Sequence, residues 1–402
     1  MVTSLPTLAR AASRAPQDAG GLLAALAGVP DPRRGGPRRH PLRFVLGVLV
    51  SALSCAGFET FAAVAQWAAA ADRELLLSLG AAPDPLTGAV HAPSEATIRR
   101  MACGVDAQAL EAAIAAWTAG QLPEPEPDAG PMPVAIDGKT VRGARSGDQP
   151  APHLLGACTH DSSVMLAQRQ IPGKTNEIPM VATLLDDLRA AGHDPDSMVF
   201  TLDALHTQHA TARLLHDAGA GYLMCVKGNQ PGLRAAVIDQ LRTHQPVRFG
   251  ERSRGHGRTE ERILTVVPAT GIDFAGAAQV FRIVRHTGGL DGQRTRKEVV
   301  HGITNLRSEH ADAARLAALT RGHWSIENGV HYVRDVTYRE DAHRARTGNA
   351  PAVLAALRNA VTTALRLAGA VNIAAARRAA TLDPHTVIRM FTRPAKPDKG
   401  PL

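Results

Sequence analysis

Two apolar runs that each end in an aspartate constrain this chain most, because they predict two buried strands with a carboxylate at one end. The runs are Val134-Ala-Ile-Asp137 and Met198-Val-Phe-Thr-Leu-Asp203. Short apolar runs are typical of strands buried in a sheet, and active sites of α/β sheets form at the carboxyl ends of their strands. Turn chemistry would explain either aspartate alone, but the repeated pattern favours a shared site.

The residues around these runs predict a mixed α/β sheet. Further β-rich runs at 153–159, 164–171 and 221–226 alternate with helical segments at 176–191 and 208–218. A β-rich insertion is predicted at about 228–310, and the chain then returns to helix. We therefore expect a catalytic domain over residues 134–376.

The first part of the chain has a different periodicity. In residues 1–121 apolar residues recur at spacings of three and four, which predicts an all-α N-terminal domain. We expect this domain to bind DNA. Residues 122–133 are rich in Pro, Glu, Asp and Gly and predict a linker. Residues 377–402 are basic and rich in proline, and we expect them to form a tail.

The composition favours a polyanionic partner and a reducing compartment. The formal net charge is +8, and clustered cations bind nucleic acids by releasing counterions from the phosphates. The 4 cysteines form no CxxC pair, which argues against a disulfide framework or a zinc ribbon. We find no signal peptide or membrane span, so we expect a cytoplasmic protein, associated with the nucleoid when it is bound to DNA.

A third carboxylate is predicted on a helix near residue 327. In His323-Trp-Ser-Ile-Glu-Asn-Gly-Val-His-Tyr-Val-Arg-Asp, spacings of four, four and three place His323, Glu327, His331 and Arg334 on one helix face. The adjoining face is apolar. A solvated ion-pair face is the alternative interpretation. Asp335 is a rival for the third carboxylate, but it falls farther around the helix.

Asp137, Asp203 and Glu327 together would offer the hard oxygen ligands that Mg²⁺ requires. Two such ions, for which Mn²⁺ can substitute, would serve phosphodiester cleavage by in-line displacement. A zinc hydrolase using His323, Glu327 and His331 is an alternative, although the spacing does not reproduce HExxH.

The sequence also resembles the DDE transposases of the ISAs-type, or H-repeat-associated, insertion-sequence group. The segments that carry the resemblance are Ala135-Ile-Asp-Gly-Lys-Thr-Val-Arg-Gly, Lys174-Thr-Asn-Glu-Ile, Asp203-Ala-Leu-His-Thr-Gln, Lys227-Gly-Asn-Gln-Pro, His323-Trp-Ser-Ile-Glu-Asn, Glu340-Asp-Ala-His-Arg-Ala-Arg and Asn349-Ala-Pro. The resemblance implies a ribonuclease H-like core with Asp137, Asp203 and Glu327 as catalytic and metal-binding residues. It also implies cleavage at terminal inverted repeats and strand transfer into double-stranded target DNA, by a homodimer in a synaptic complex.

This sequence departs from related groups at two positions of the Tyr, Arg, Glu, Lys signature around the catalytic glutamate. His323 stands in the Arg position and Arg334 in the Lys position, so the cationic character of both positions is retained with different residue types. The predicted DNA contacts are Lys139, Arg142, Lys174, His206, Lys227, His323, His331 and Arg334. Trp324 could stack on a base, but core packing is the preferred interpretation. An inactive or domesticated DNA-binding relative is the alternative to an active enzyme.

Overall fold

A single mixed sheet of nine strands crosses the molecule in the computed structural model. The structure describes residues 21–35, 38–123, 130–146, 150–173, 175–255, 257–291 and 293–392. The strands are β1 (Met132–Thr140), β2 (His153–Thr159), β3 (Met165–Ile171), β4 (Met198–Leu202), β5 (Gly221–Val226), β6 (Val247–Gly255), β7 (Arg258–Pro268), β8 (Gln279–Gly289) and β9 (Arg294–Thr304).

The helices of the described residues fall before, within and after the sheet. They are α1 (Leu22–Ala27), α2 (Leu42–Ser54), α3 (Phe61–Ala70), α4 (Arg73–Ser78), α5 (Glu95–Gly104), α6 (Ala107–Ala119), α7 (Glu177–Ala190), α8 (His209–Asp217), α9 (Pro231–Thr243), α10 (Ala313–Gly322), α11 (Ala350–Leu367), α12 (Ile373–Leu382) and α13 (Pro384–Thr392). Short 3₁₀ turns lie at Arg142–Ala144, Pro195–Ser197 and Glu340–Ala342, and π-helical segments at Ile326–His331 and Val333–Thr337. None of the described helices combines the length and the apolar character that crossing a bilayer requires.

The first five strands have the order β3-β2-β1-β4-β5. β1 is antiparallel to β2 and parallel to β4, and β4 is parallel to β5. This arrangement confirms the predicted ribonuclease H-like mixed sheet. Its strands are buried on both faces: Val134 and Ile136 pack in the core that contains α7, whereas Ala135 packs against Ile326 of the π-helical segment.

The β-rich insertion continues the same sheet. β9 pairs antiparallel with β5, and β8, β7 and β6 follow as successive antiparallel neighbours. α9 packs beside β7, β8 and β9. The predicted insertion therefore adds four strands to the edge of the core sheet.

The helices at the two ends of the chain share one apolar core. Residues of α2, α5 and α6 pack with residues of α11, α12 and α13 in a single buried cluster. The helix ends follow ordinary capping rules, since the side chains of Ser94 and Asp106 accept backbone N–H groups at the starts of α5 and α6. The N-terminal helices are thus fastened to the C-terminal ones.

The prediction of a tail over 377–402 is corrected for its first part, because α12 and α13 extend through residues 377–392. Residues 393–402 lie outside the described residues. Arg377 is buried, and its guanidinium donates to the carbonyls of Leu53 (2.9 Å) and Cys55 (2.7 Å) at the end of α2. It also pairs with Glu59 and lies 4.2 Å from the centre of the Tyr338 ring. A basic residue here satisfies the free carbonyls of a helix terminus.

Candidate metal centre

Asp137 and Asp203 lie next to each other at the carboxyl edge of the sheet. The parallel pairing of β1 with β4 ends at Ile136 and Leu202, so each aspartate is the first residue beyond that pairing. β1 itself continues to Thr140 along β2, so Asp137 ends the β1–β4 pairing and lies inside its own strand. Burial raises the pKa of Asp137, with His331 acting in the opposite direction and the negative charges of Asp203 and Glu177 adding to the rise.

Glu327 reaches this edge from the helical segment that follows α10. Ile326 and Val330 are buried against Ala135, Cys158 and Met165, which fixes this segment over β1 and β2. Its backbone is π-helical, with the N–H of Tyr332 bonded to the carbonyl of Glu327. π-helical turns are rare and occur often at functional sites.

Asp137, Glu327 and His331 form a compact group of possible metal ligands. One ligand atom from each lies within 4.8 Å of the others. Nδ1 of His331 donates to Oε2 of Glu327 at 3.0 Å and lies 3.7 Å from Oδ2 of Asp137. This hydrogen bond lowers the pKa of Glu327, and the charges of Lys139 and Arg142 act in the same direction.

Asp203 lies beside this group without belonging to it. Its Oδ1 accepts the backbone N–H groups of Leu205 (2.9 Å) and His206 (3.4 Å), which turns that oxygen toward the loop after β4. Asp203 is nevertheless close enough to raise the pKa of Asp137 by repulsion. The structure thus brings two of the three predicted carboxylates together and places the third next to them.

Glu177 is a further acidic residue at this edge that sequence reasoning did not select. Its carboxylate accepts hydrogen bonds from Nε2 of His153 (2.6 Å) and of His206 (3.0 Å). Burial alone would raise the pKa of Glu177, but these two histidines outweigh it and bring the pKa to about 2. The motif Lys174-Thr-Asn-Glu-Ile contains this residue and was the only signal available.

Most of the predicted DNA contacts face the protein interior. Lys139 is buried, and its Nζ lies 2.7 Å from both oxygens of Asp335. His206 is buried against Glu177, His331 belongs to the metal-ligand group, and His323 is half-buried with Nδ1 3.1 Å from the Thr201 hydroxyl. Two of the predicted contacts are exposed, Arg142 and Lys227. Lys174 lies outside the described residues.

The prediction that Arg334 contacts DNA is corrected by its position in the structure. Arg334 is buried, forms an ion pair with Glu340 and donates to Oε1 of Gln168 at 2.9 Å, so no phosphate can reach it in this conformation. The preference for a packed Trp324 was also wrong, because this side chain is 55% exposed. Trp324 borders a groove of about 430 Å³ between the inserted strands and α10.

Comparison with known proteins identifies related sequences. Residues 128–363 match the family described as "Transposase DDE domain", and residues 23–118 match the family described as "DDE_Tnp_1-associated". "Putative transposase YncI" of Escherichia coli O157:H7 is 28% identical over 363 residues, which cover 84% of this chain and 85% of that protein. "H repeat-associated putative transposase YhhI" of Escherichia coli K12 is 29% identical over 239 residues, 56% of this chain and 62% of that protein.

One solved structure also aligns with the chain at low similarity. It is described as a cryo-EM structure of the piggyBac transposase synaptic complex with hairpin DNA. The alignment covers 92% of this chain and 78% of that chain, with a TM-score of 0.42 and 10% sequence identity.

Proposed function

This chain belongs to the DDE transposase family, in its ISAs-type, H-repeat-associated group, and we propose that it cleaves DNA at the terminal inverted repeats of an insertion sequence and transfers the cut strands into target DNA. The observation that carries this proposal is the meeting of Asp137 and Glu327, whose ligand atoms lie within 4.8 Å of each other and of His331. These residues are far apart in the chain, and Asp203 lies beside them directly after the neighbouring strand β4.

The donor set fits a divalent cation. Burial raises the pKa of Asp137, and the nearby negative charges of Asp203 and Glu177 add to the rise. A bound cation would relieve that repulsion. Asp137, Asp203 and Glu327 would hold two Mg²⁺ ions, with Mn²⁺ as a substitute. When bound, such ions activate the attacking oxygen and stabilise the leaving oxygen of a phosphodiester.

The remaining residues orient the ligands and adjust the local charge. His331 holds the Glu327 carboxylate toward Asp137 through its Nδ1 hydrogen bond. The positive charges of Lys139 and Arg142 help to lower the pKa of Glu327 and so favour its ionised form. The exposed Arg142 is also available to a phosphate. His153 and His206 keep Glu177 in place beside the group.

The partner in this proposal is double-stranded DNA, bound by a homodimer in the cytoplasm. The net charge of +8 favours a polyanion. Exposed cations near the sheet edge, Arg142 and Lys227, would contact the backbone there. The N-terminal helices, on which Arg99 and Arg100 are exposed, would contribute to recognition of the element ends.

Nicking of DNA that carries the flanking sequences of the gene tests this proposal. We expect Mg²⁺- or Mn²⁺-dependent nicking by the wild type, and its loss in Asp137→Asn, Asp203→Asn and Glu327→Gln with DNA binding retained, because each change removes a ligand charge and leaves the basic surface intact. Asp186→Asn is the matched control, since its carboxylate is exposed on α7, and it should nick like the wild type.

The other outcomes separate the alternatives. Binding without nicking by the wild type would identify a domesticated DNA-binding protein. Activity that requires Zn²⁺ would identify a hydrolase. Full nicking by one of the three variants would remove that residue from the site.

A further inference from the structure

The inserted strands project past the sheet edge that carries the acidic residues. β4 ends at Leu202 opposite Met224 of β5, and β9 pairs with the end of β5 through His301 and Val226. Residues 294–300 of β9 therefore lie beyond β5. At about 3.4 Å per residue this segment extends roughly 24 Å past the edge. We call the projecting part of the four strands the flap, formed by residues 248–255, 258–265, 282–289 and 294–301.

On one face of the flap the charges are matched in ion pairs except for that of Arg296, which lies opposite Thr287 and forms no ion pair among the described residues. The pairing registers place Glu251, Arg262, Arg285 and Glu298 on this face, which we call the paired face. Arg262 pairs with Glu251 at 3.3 Å, and Arg285 pairs with Glu298. Two further arginines of the same region are also matched: Arg258 with Glu260, and Arg321 of α10 with Glu251, both at 2.8 Å.

The opposite face, which we call the cationic face, is different. By register it carries Arg248, Arg252, Arg254, Arg282, Arg294 and Lys297, with Glu261 as its carboxylate. Glu261 pairs with Arg252 at 3.1 Å and with Arg294. Among the described residues, Arg248, Arg254, Arg282 and Lys297 form no ion pair with any carboxylate.

The cations of this face stand in rows across the strands. In the innermost row Arg248 and Arg282 lie on either side of Thr265. The following row, which contains Gly250, holds no cation, and the row after it holds Arg252 and Lys297. Arg254 and Arg294 form the outermost row. Rows two residues apart are separated by about 7 Å along the strands, so uncompensated charge is spread over roughly 20 Å.

We propose that the cationic face of the flap binds the phosphate backbone of duplex DNA adjoining the cleavage site, an inference that rests on the proposed function for its choice of partner. Arginine and lysine side chains at spaced positions suit a polyanion of repeating charge better than a folded acidic protein, whose carboxylates are not periodic. The flap starts at the edge where a scissile phosphate would lie, so the DNA on one side of that phosphate would run along it. Contacts of this kind position the duplex and do not read its sequence.

The test compares the two faces by removing the same charge from each. The first variant is Arg248→Gln, Arg254→Gln and Lys297→Gln, at three exposed positions of the cationic face. The control is Arg258→Gln, Arg285→Gln and Arg321→Gln, whose cations are already matched by carboxylates. Binding of the full chain to a short DNA duplex of random sequence is measured without divalent ions over a range of salt concentrations. Circular dichroism checks that each variant is folded.

We expect the slope of log Kobs against log salt to fall by about 3 in the first variant, because each lost phosphate contact lowers it by about 1. The control should change it by less than about 1. An equal fall in both variants would show an effect of net charge alone and would overturn the inference. An unchanged slope in the first variant would overturn it as well.

These outcomes are distinguishable from failure of the proposed function. If the wild type binds the duplex through the cationic face but never nicks it, the flap inference stands and the proposed reaction fails. If the wild type nicks DNA and the first variant binds and nicks like the wild type, the reaction stands and the flap inference fails.

Discussion

Arg334 and Glu340 form an ion pair with a nitrogen-to-oxygen distance of 2.6 Å, and neither side chain is more than 2% exposed. Arg358 also donates to Glu340, at 2.8 Å, and Arg334 reaches Gln168 of β3. Burial would raise the pKa of Glu340, but the two arginines outweigh it and bring the pKa to about 2. This network joins the segment that carries Glu327 to the sheet and to α11.

Arg334→Met should therefore lower the free energy of unfolding without changing the salt dependence of DNA binding. Removing one partner of a buried ion pair costs about 3–5 kcal/mol, because the remaining charge is left uncompensated. Urea unfolding followed by circular dichroism measures the first effect and a salt titration of binding the second.

Arg142→Gln is the matched comparison, since Arg142 is exposed. It should leave stability within about 0.5 kcal/mol of the wild type and lower the salt slope by about 1. The structural interpretation of Arg334 fails if Arg334→Met unfolds like the wild type and loses salt dependence instead.

The sequence was sufficient for the parts of the site that depend on local pattern. Apolar runs predicted β1 and β4, and with them the edge where Asp137 and Asp203 lie. The burial of Arg334 could not be read in the same way, because its partner Glu340 is brought back by a turn in which Arg339 has a φ of 52°. The regular 3.6-residue periodicity also fails over the π-helical segments, so the predicted helix face differs from the observed one.

Long-range packing explains the other differences. Glu177 joins the site only because α7 begins beside His153 and His206, which come from other parts of the chain. The proline-rich character of 377–402 comes largely from residues 393–402, whereas Arg377 donates to carbonyls at the end of α2, more than 300 residues away. Partners so distant in sequence leave no local signal.

Glu111 should make the stability of the protein depend on pH. Burial raises the pKa of this α6 residue to about 8, with hydrogen bonding to Gln168 and the charge of Arg334 acting in the opposite direction. The folded state thus keeps a proton on Glu111 that the unfolded chain loses above the ordinary glutamate pKa of 4.5. The contribution of this proton to the free energy of unfolding is fully present below that pKa. It falls by about 1.4 kcal/mol per pH unit as the pH rises toward 8.

Glu111→Gln should remove this dependence, because glutamine resembles the protonated glutamate and does not ionise. The measurement is urea unfolding of both proteins between pH 5 and about 9. The variant should gain stability relative to the wild type as pH rises. Parallel curves for the two proteins would show that Glu111 ionises normally in the folded state.

Gly138→Ala should disturb the site through Glu177. A Cβ at this position would clash with Oε1 of Glu177 and lie 2.5 Å from its Cδ, and this carboxylate is held by two histidines. We expect a loss of about 1–3 kcal/mol in stability from overpacking, together with reduced nicking as Glu177 moves relative to Asp137.

A double-mutant cycle with Glu177→Ala measures this contact, because the cost of Gly138→Ala should largely disappear when the Glu177 carboxylate is absent. Gly156→Ala is the control in the neighbouring strand, where the atom nearest the new Cβ would be the movable end of Met165, at 3.1 Å. Equal costs of Gly138→Ala with and without Glu177 would contradict the proposed clash.

Asp335→Asn should remain active in nicking, whereas Glu327→Gln should lose nearly all activity. Both carboxylates lie on the segment after α10, but Asp335 is engaged by Nζ of Lys139 at 2.7 Å, while Glu327 lies with Asp137 and His331. We expect a decrease of less than about 10-fold for Asp335→Asn and of about 10³-fold or more for Glu327→Gln, since the latter removes stabilisation worth at least about 4 kcal/mol. Single-turnover nicking rates at saturating Mg²⁺ provide the comparison. The reverse order of the two variants would assign the third ligand to Asp335, and Lys139 would then have to release it when the ion binds.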